Sequence, residues 1–404
     1  MVDDTIVPAE RFGPDFLQDP HSTYSRLRRE APVQRVVLPA GLQAWVVTRY
    51  EDVRAALANP GLRKDFRRYP DLFARNTMRN QPGFVHPALV AHMLNMDPPD
   101  HVRLRKLVTK AFTLRRIEAM RPRIEEITTD LLDAMAGEER VDLVEAFAFP
   151  LPITVICEMI GMPAEDLDGF RSWCNTLISG GEPDEVQHAA DATKAYLLEL
   201  IAKKREEPVE DLFGALVHAR EDGDQLTETE LVSMVFLLLV AGHETTVSLI
   251  ASGVLSLLRN PEQFAELRAD RSLLPGAIEE FLRYEGPLNM ATFRYTNEPT
   301  EIGGVEIPAD EFVMLALTSA NRDEEQFPEP DTLDLRRDTT GHMAFGHGIH
   351  YCLGAPLARM EAEIAFNHLL DRFDHIELAA TTEGLRWREG VVIRSLEALP
   401  VRIG

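Results

Sequence analysis

Along most of the chain, apolar positions recur every three to four residues, the spacing of a helix that buries one face. The stretch DPHSTYSRLRREAPV (19–33) has this period, and YEDVRAALANP (50–60) keeps it until a proline stops it. The pattern returns from His101 through Met135, over 143–160 and over 188–205, with LISGGEPDEVQ (177–187) breaking it as a connection between helices does. The longest run extends from Thr227 to Arg259, well beyond an average helix, and opens with TETE, a hydroxyl cap followed by early acids. Its apolar centre, LVSMVFLLLVAG (231–242), is too short for a membrane span and runs straight into HETT, which predicts a helix buried in a protein core.

Strand signals are few. AWVVTRY (44–50) reads as a strand, IGGVEIPADEFVMLAL (302–317) as a hairpin turning at Pro308–Asp310, and GVVIRSLEALPVRI (390–403) as further strands. The segment from Gly61 to Pro99 is rich in Arg, Pro and Asn, has no clear period and is too long for a plain connector, which suggests a functional lid. With no internal repeat and no clear linker, the expected fold class is mainly α with a small β portion, as one domain over residues 1–404.

The 45% hydrophobic content is sufficient for a large core, and the acidic start MVDDTIVPAERFGPDF carries no signal-peptide pattern, so a cytoplasmic location is expected. A formal charge of −24 argues against nucleic acid and anionic membranes as partners. That charge is unevenly spread, because His101–Arg123 carries eight Lys and Arg against one Glu, a candidate docking patch for an acidic partner. Three cysteines, Cys157, Cys174 and Cys352, fit a reducing compartment rather than a disulfide framework. Cys157 and Cys174 lie in apolar surroundings as small hydrophobes, whereas Cys352 sits in FGHGIHYCLG, among glycines and histidines.

Three chemistries compete for that sulfur. Zinc would take His347, His350 and Cys352, but no second cysteine or HxxxH element stands nearby. A nucleophilic thiol would need a base, which His350 offers, and an oxyanion site that cannot be identified. An axial thiolate for haem iron suits a cysteine just before a helix, with Phe345 shielding the sulfur and Gly346, Gly348 and Gly354 letting the backbone approach a flat macrocycle.

The spacing F-x-x-G-x-H-x-C-x-G, at Phe345, Gly348, His350, Cys352 and Gly354, resembles the haem-binding signature of the cytochrome P450 family. AGHETT (Ala241–Thr246) is similar to that family's oxygen-activation motif, with Glu244 as acid and Thr245 as alcohol in the catalytic roles and Ala241 against the cofactor. Glu280 and Arg283 resemble its E-x-x-R pair, and Ala320–Asp338 its meander. Thr332 departs from the pattern, standing where many relatives have an Arg, and Arg336 or Arg337 is expected to compensate. The resemblance spans roughly residues 15–404 and implies haem b, with His101, Arg105, Arg294 and His350 holding its propionates.

Lacking membrane and reductase segments, the chain looks like a monomeric, soluble bacterial three-component type. The resemblance then implies O2 as co-substrate, a ferredoxin docking on the basic island and an NAD(P)H-linked ferredoxin reductase. It most resembles actinobacterial enzymes of secondary metabolism, which hydroxylate or epoxidise polyketides, macrolides, steroids or terpenoids. Matching of variable segments gives Phe84, Val85, Leu94, Leu237, Val240, Asn289, Met290, Ala291, Thr292, Val392 and Ile393 as pocket candidates, with Asn289 or Thr292 as polar anchors. A peroxide-driven enzyme and a non-enzymatic haem sensor are the alternatives, and neither needs the Glu244 and Thr245 pair.

Overall fold

The computed structural model describes residues 10–77, 87–166, 169–170, 172–173, 176–177, 182–206, 211–219, 223–381 and 384–404. Its principal helices are α1 (Pro20–Glu30), α2 (Tyr50–Ala58), α3 (Asp100–Ala111), α4 (Leu114–Met135), α5 (Pro150–Met159), α6 (Pro183–Glu206), α7 (Glu228–Arg259), α8 (Leu274–Tyr284) and α9 (Ala355–Arg372). The strands are β1 (Glu10–Arg11), β2 (Val33–Val37), β3 (Gln43–Val47), β4 (Leu62–Arg63), β5 (Arg140–Asp142), β6 (Arg294–Thr296), β7 (Thr300–Ile302), β8 (Val305–Ile307), β9 (Phe312–Leu315), β10 (Ile376–Leu378) and β11 (Pro400–Ile403). The expected helix-dominated class is therefore observed. The chain forms two compact units, one of residues 1–83, 275–352 and 386–395, the other of 84–274, 353–385 and 396–404.

The first unit is built on a six-stranded sheet of order β1-β2-β3-β9-β6-β4. β9 pairs parallel to β3 (Val46↔Met314) and antiparallel to β6, and its sequence FVML has no polar position because all four residues are buried. The hairpin expected to turn at Pro308–Asp310 turns elsewhere. β7 pairs with β8 around Gly303 and Gly304, at φ 56° and 77°, a conformation two glycines adopt without steric cost. Residues 308–311 fold back instead on Thr296, whose hydroxyl donates to the Pro308 carbonyl at 2.6 Å and whose amide donates to that of Glu311. The predicted C-terminal strands reduce to β11. Residues 390–395 lack a ladder because polar anchors take its place: the Arg394 guanidinium donates to Glu285 Oε1 (2.5 Å) and the Leu17 carbonyl (3.0 Å), and stacks on Trp387.

The second unit packs α3–α7 and α9 beside a small sheet of order β10-β11-β5. The periodicity of His101–Met135 divides into α3 and α4, because Thr113 leaves helical conformation and its hydroxyl caps the Arg116 amide. The capping box of α7 is complete: Thr227 accepts from the Glu230 amide, and the Glu230 carboxylate accepts from the Thr227 amide at 2.8 Å. α7 is long and apolar enough to cross a membrane, but 72% of its most apolar window is buried inside the protein, against α5 and α9 among others. It is a core helix.

On α9, Glu361 is 1% exposed, its Oε2 has no partner among the described residues, and burial pushes its carboxyl well above the ordinary range. The folded state thus keeps a proton that the unfolded chain releases above about pH 4.5. In that window the native state binds more protons than the unfolded one, so stability falls as pH rises, by up to about 1.4 kcal/mol per pH unit. Glu361→Gln removes this dependence. Urea unfolding at stepped pH is expected to show variant and wild type alike below pH 4.5 and the variant increasingly ahead above it; parallel curves would refute a buried neutral carboxyl.

Candidate active site

In the first unit, the segment from Phe345 to Cys352 starts after Met343, whose amide donates to Asn321 Oδ1 at 2.6 Å. The Gly346 amide then donates to the Met343 carbonyl and the Cys352 amide to the Phe345 carbonyl, both at 2.9 Å, closing a loop around a 3-10 turn at Gly348–His350. Gly346 and Gly348 have φ of 73° and 74°. At Gly348 a Cβ would also approach the Leu57 carbonyl oxygen at the end of α2 to 3.2 Å, so this position needs glycine on two counts. No residue from 345 to 354 is buried; Cys352 is exposed, with Ile349 and Tyr351 at 50% and 42%. A thiol on an uncovered apolar and glycine surface fits the face of a flat macrocycle such as haem b. It does not fit zinc, since no cluster of three or more potential ligands exists among the described residues.

Behind the loop, Glu280 and Arg283 are both 0% exposed and paired in a fork, Nε to Oε2 at 2.6 Å and Nη2 to Oε1 at 2.8 Å. Arg283 Nη1 donates to the carbonyls of Asn321 (3.0 Å) and Pro330 (2.9 Å). Asn321 therefore holds the ion pair through its backbone and the cysteine loop through its side chain. The residue compensating for Thr332 is Arg337, whose Nε reaches Glu280 Oε1 at 3.3 Å and whose Nη2 donates to the Thr332 carbonyl at 3.1 Å.

Asn289–Thr292 runs beside Val392 and Ile393, joined by a Leu288↔Ile393 bridge and by the Asn289 amide donating to the Val392 carbonyl. Three of the pocket expectations change here. Asn289 is 3% exposed, with Oδ1 accepting from Tyr24 (3.0 Å) and Thr318 (2.8 Å) and Nδ2 donating to the Val391 carbonyl, so it fastens the fold rather than offering a polar anchor. Met290, at 0%, is part of the core, and Ala291 is buried too. Thr292 is half-buried and contacts two cations, through its carbonyl to Arg294 Nη1 (3.2 Å) and through its hydroxyl to Lys64 Nζ (2.5 Å). His350 is half-buried at the end of its turn.

In the second unit, α7 is mostly buried between Leu231 and Leu257, but Leu238, Ala241, Gly242 and Thr245 are among the residues that are not, and their spacing puts them on one face. Leu237 is buried and Val240 half-buried beside it. The hydroxyls of Thr245 and Thr246 donate to the carbonyls of Ala241 (2.8 Å) and Gly242 (3.1 Å), one turn back. His243 and Glu244 are buried, at 1% and 2%. His243 Nδ1 lies 2.7 Å from the Leu239 carbonyl, which only accepts, so Nδ1 carries a proton. Its Nε2 lies 3.1 Å from Glu244 Oε1, a contact that holds one further proton, on the nitrogen or on the oxygen. Sequence reasoning passed over His243 although it sits inside the motif. It passed over Lys64 as well, in the Arg-rich run after α2.

His101 (3% exposed) and Arg105 (half-buried) are one turn apart on α3, on one face, and Leu94 is half-buried in the 3-10 turn before it. The basic island is smaller than its sequence: Arg103 pairs with Glu230 and Asp224, Arg121 with Glu118 and Glu363, Arg123 with Glu126 and Glu158. Lys106, Lys110 and Arg115 are exposed, next to Val102 and Leu114 at 43% and 65%. Phe84, Val85 and Cys174 lie outside the described residues.

Comparison with known proteins agrees with this chemistry. The family model described as Cytochrome P450 matches residues 175–396. The chain is 57% identical to cytochrome P450 107B1 of Saccharopolyspora erythraea over 97% of each protein, and 48% identical to the cytochrome P450 monooxygenase PikC of Streptomyces venezuelae over 96% of this chain and 92% of that one. The structure of the P450 monooxygenase TamI with tirandamycin C bound superposes with a TM-score of 0.91 at 54% identity, covering 98% of this chain and all of that one.

Proposed function

The chain belongs to the cytochrome P450 family and is a haem-dependent monooxygenase, and on that premise we propose that Cys352 is its iron ligand and that Glu244 and Thr245 govern its proton supply. The observation that carries the ligand role is the exposed loop of residues 345–352, fixed from behind by Asn321 and presenting one thiol. Haem b, when bound, would supply the redox and oxygen chemistry of monooxygenation, in which one atom of O2 enters the substrate and the other leaves as water. Arg294, His350, His101 and Arg105 are cations or donors suited to its two propionates.

Thr245 lies on the same face of α7 as Ala241, and its proton is given to the Ala241 carbonyl until a better acceptor arrives, leaving its oxygen able to accept in turn. Glu244 is shielded from bulk water, and its proton is shared with His243, so it delivers protons singly rather than by solvent flooding. Thr245→Ala is expected to keep haem content and substrate affinity while product per NAD(P)H falls by about 10²-fold and hydrogen peroxide rises. Unchanged coupling would remove Thr245 from this role.

The substrate is a hydrophobic small molecule of the polyketide, macrolide, steroid or terpenoid kind, hydroxylated or epoxidised. Support comes from the apolar candidates Leu94, Leu237, Val240, Val392 and Ile393, and from tirandamycin C in TamI. The redox partner is an acidic ferredoxin, served by its reductase, meeting Lys106, Lys110 and Arg115 around the exposed Leu114. Pairing K110E with R115E is expected to raise the KM for a ferredoxin about tenfold at low salt, leaving substrate-induced spin shift unchanged. An unaltered KM would place the docking surface elsewhere.

A further inference from the structure

Lys64 follows β4 and is 1% exposed, among the largest fully buried side chains of the protein. Lysine is seldom buried to this degree without a polar task. Its ammonium donates to Thr292 Oγ1 at 2.5 Å and to the Phe293 carbonyl at 3.3 Å. Arg294, itself 4% exposed, donates to the carbonyl of the same Thr292 at 3.2 Å. Two buried cations thus meet at one half-buried threonine, Arg294 from two residues along the chain and Lys64 from 228 positions away. Because an ammonium has donors only, Thr292 Oγ1 must accept from Lys64, which turns the threonine's own proton outward as a donor. Guanidinium, ammonium and an outward hydroxyl are the donor set that recognises a carboxylate.

We infer that Lys64 completes, with Arg294 and Thr292, a carboxylate-binding site in the first unit. The inference rests on the haem assignment above for one of two sources of that carboxylate, a propionate of haem b; the other is an acidic substrate. Lys64 is then both a donor to the carboxylate and the residue that sets the polarity of Thr292. Loss of the cation next to a propionate destabilises the reduced haem, which carries one electron more, and weakens haem retention.

The test uses the haem-loaded protein with Lys64→Met and Lys64→Gln as neutral variants and Lys64→Arg as the charge-retaining one. Reduction potential, haem transfer to apomyoglobin, and spin-state titrations with myristic acid and with its methyl ester are measured. A potential lowered and transfer faster by about tenfold in both neutral variants, restored by arginine, identifies the propionate. Weakened binding of the acid but not the ester, at unchanged potential, identifies a substrate carboxylate. Unchanged potential with acid and ester affected alike, or neither affected, overturns the proposal. Should Lys64→Met not accumulate, Lys64→Gln still donates to Thr292 and carries the same comparison. A wild type without thiolate-type absorption of its reduced carbon monoxide complex would instead sink the haem reading, which separates the two failures.

Discussion

Cys352→Ala is expected to fold normally and to lose both the thiolate-type absorption of the reduced carbon monoxide complex and all product formation. The separation of folding from function follows from how the loop is held. Its shape depends on backbone bonds, Cys352 amide to Phe345 carbonyl and Gly346 amide to Met343 carbonyl, and on two left-handed glycines, none of which involves the sulfur. The side chain is exposed, so its removal leaves no cavity, and unfolding should shift by no more than about 0.5 kcal/mol. Cys157→Ala is the internal control: that thiol is buried at 1%, pushed up to about 12 by desolvation, and should leave the spectrum untouched. An unchanged spectrum in Cys352→Ala would exclude the sulfur as ligand.

Arg283→Ala is expected to have the opposite character, a loss of structure that carries function with it. At 0% exposure Glu280 would lose its forked partner, and the carbonyls of Asn321 and Pro330 would lose a donor. Breaking a buried pair from one side costs about 3–5 kcal/mol, a large share of the stability of any domain. Arg337 also reaches Glu280, which limits the loss towards the lower end. Arg283→Lys should not restore it, because one ammonium cannot span both carboxylate oxygens and two carbonyls. Denaturant unfolding and haem content measure the two effects, and a wild-type midpoint in Arg283→Ala would show the pair to be dispensable.

The long helix, its cap and the cysteine loop were legible in the sequence because each is specified locally. Period, hydroxyl and acid lie within a few residues of one another in α7, and glycine spacing defines the loop. The hairpin was misplaced because Pro-Ala-Asp and Gly-Gly are both turn signals, and the choice between them depends on β9 being claimed by β3 and β6. Asn289 read as a polar pocket residue because the partners that consume its carboxamide, Tyr24, Thr318 and Val391, are distant in sequence. The same distance hid Lys64, whose partner Thr292 is 228 positions away. That Arg337 reaches Glu280 was decidable only from side-chain direction.

Gly242 lies on the same face of α7 as Thr245, and a Cβ there would come to 3.2 Å of Ile156 Cδ1 and Cγ1 on α5. The dimensions of that face are therefore settled partly by a residue that is not on it. Trimming Ile156 and enlarging Gly242 are one coordinated change in volume, so substitutions on α5 can reshape that face of α7 while Glu244 and Thr245 stay in place.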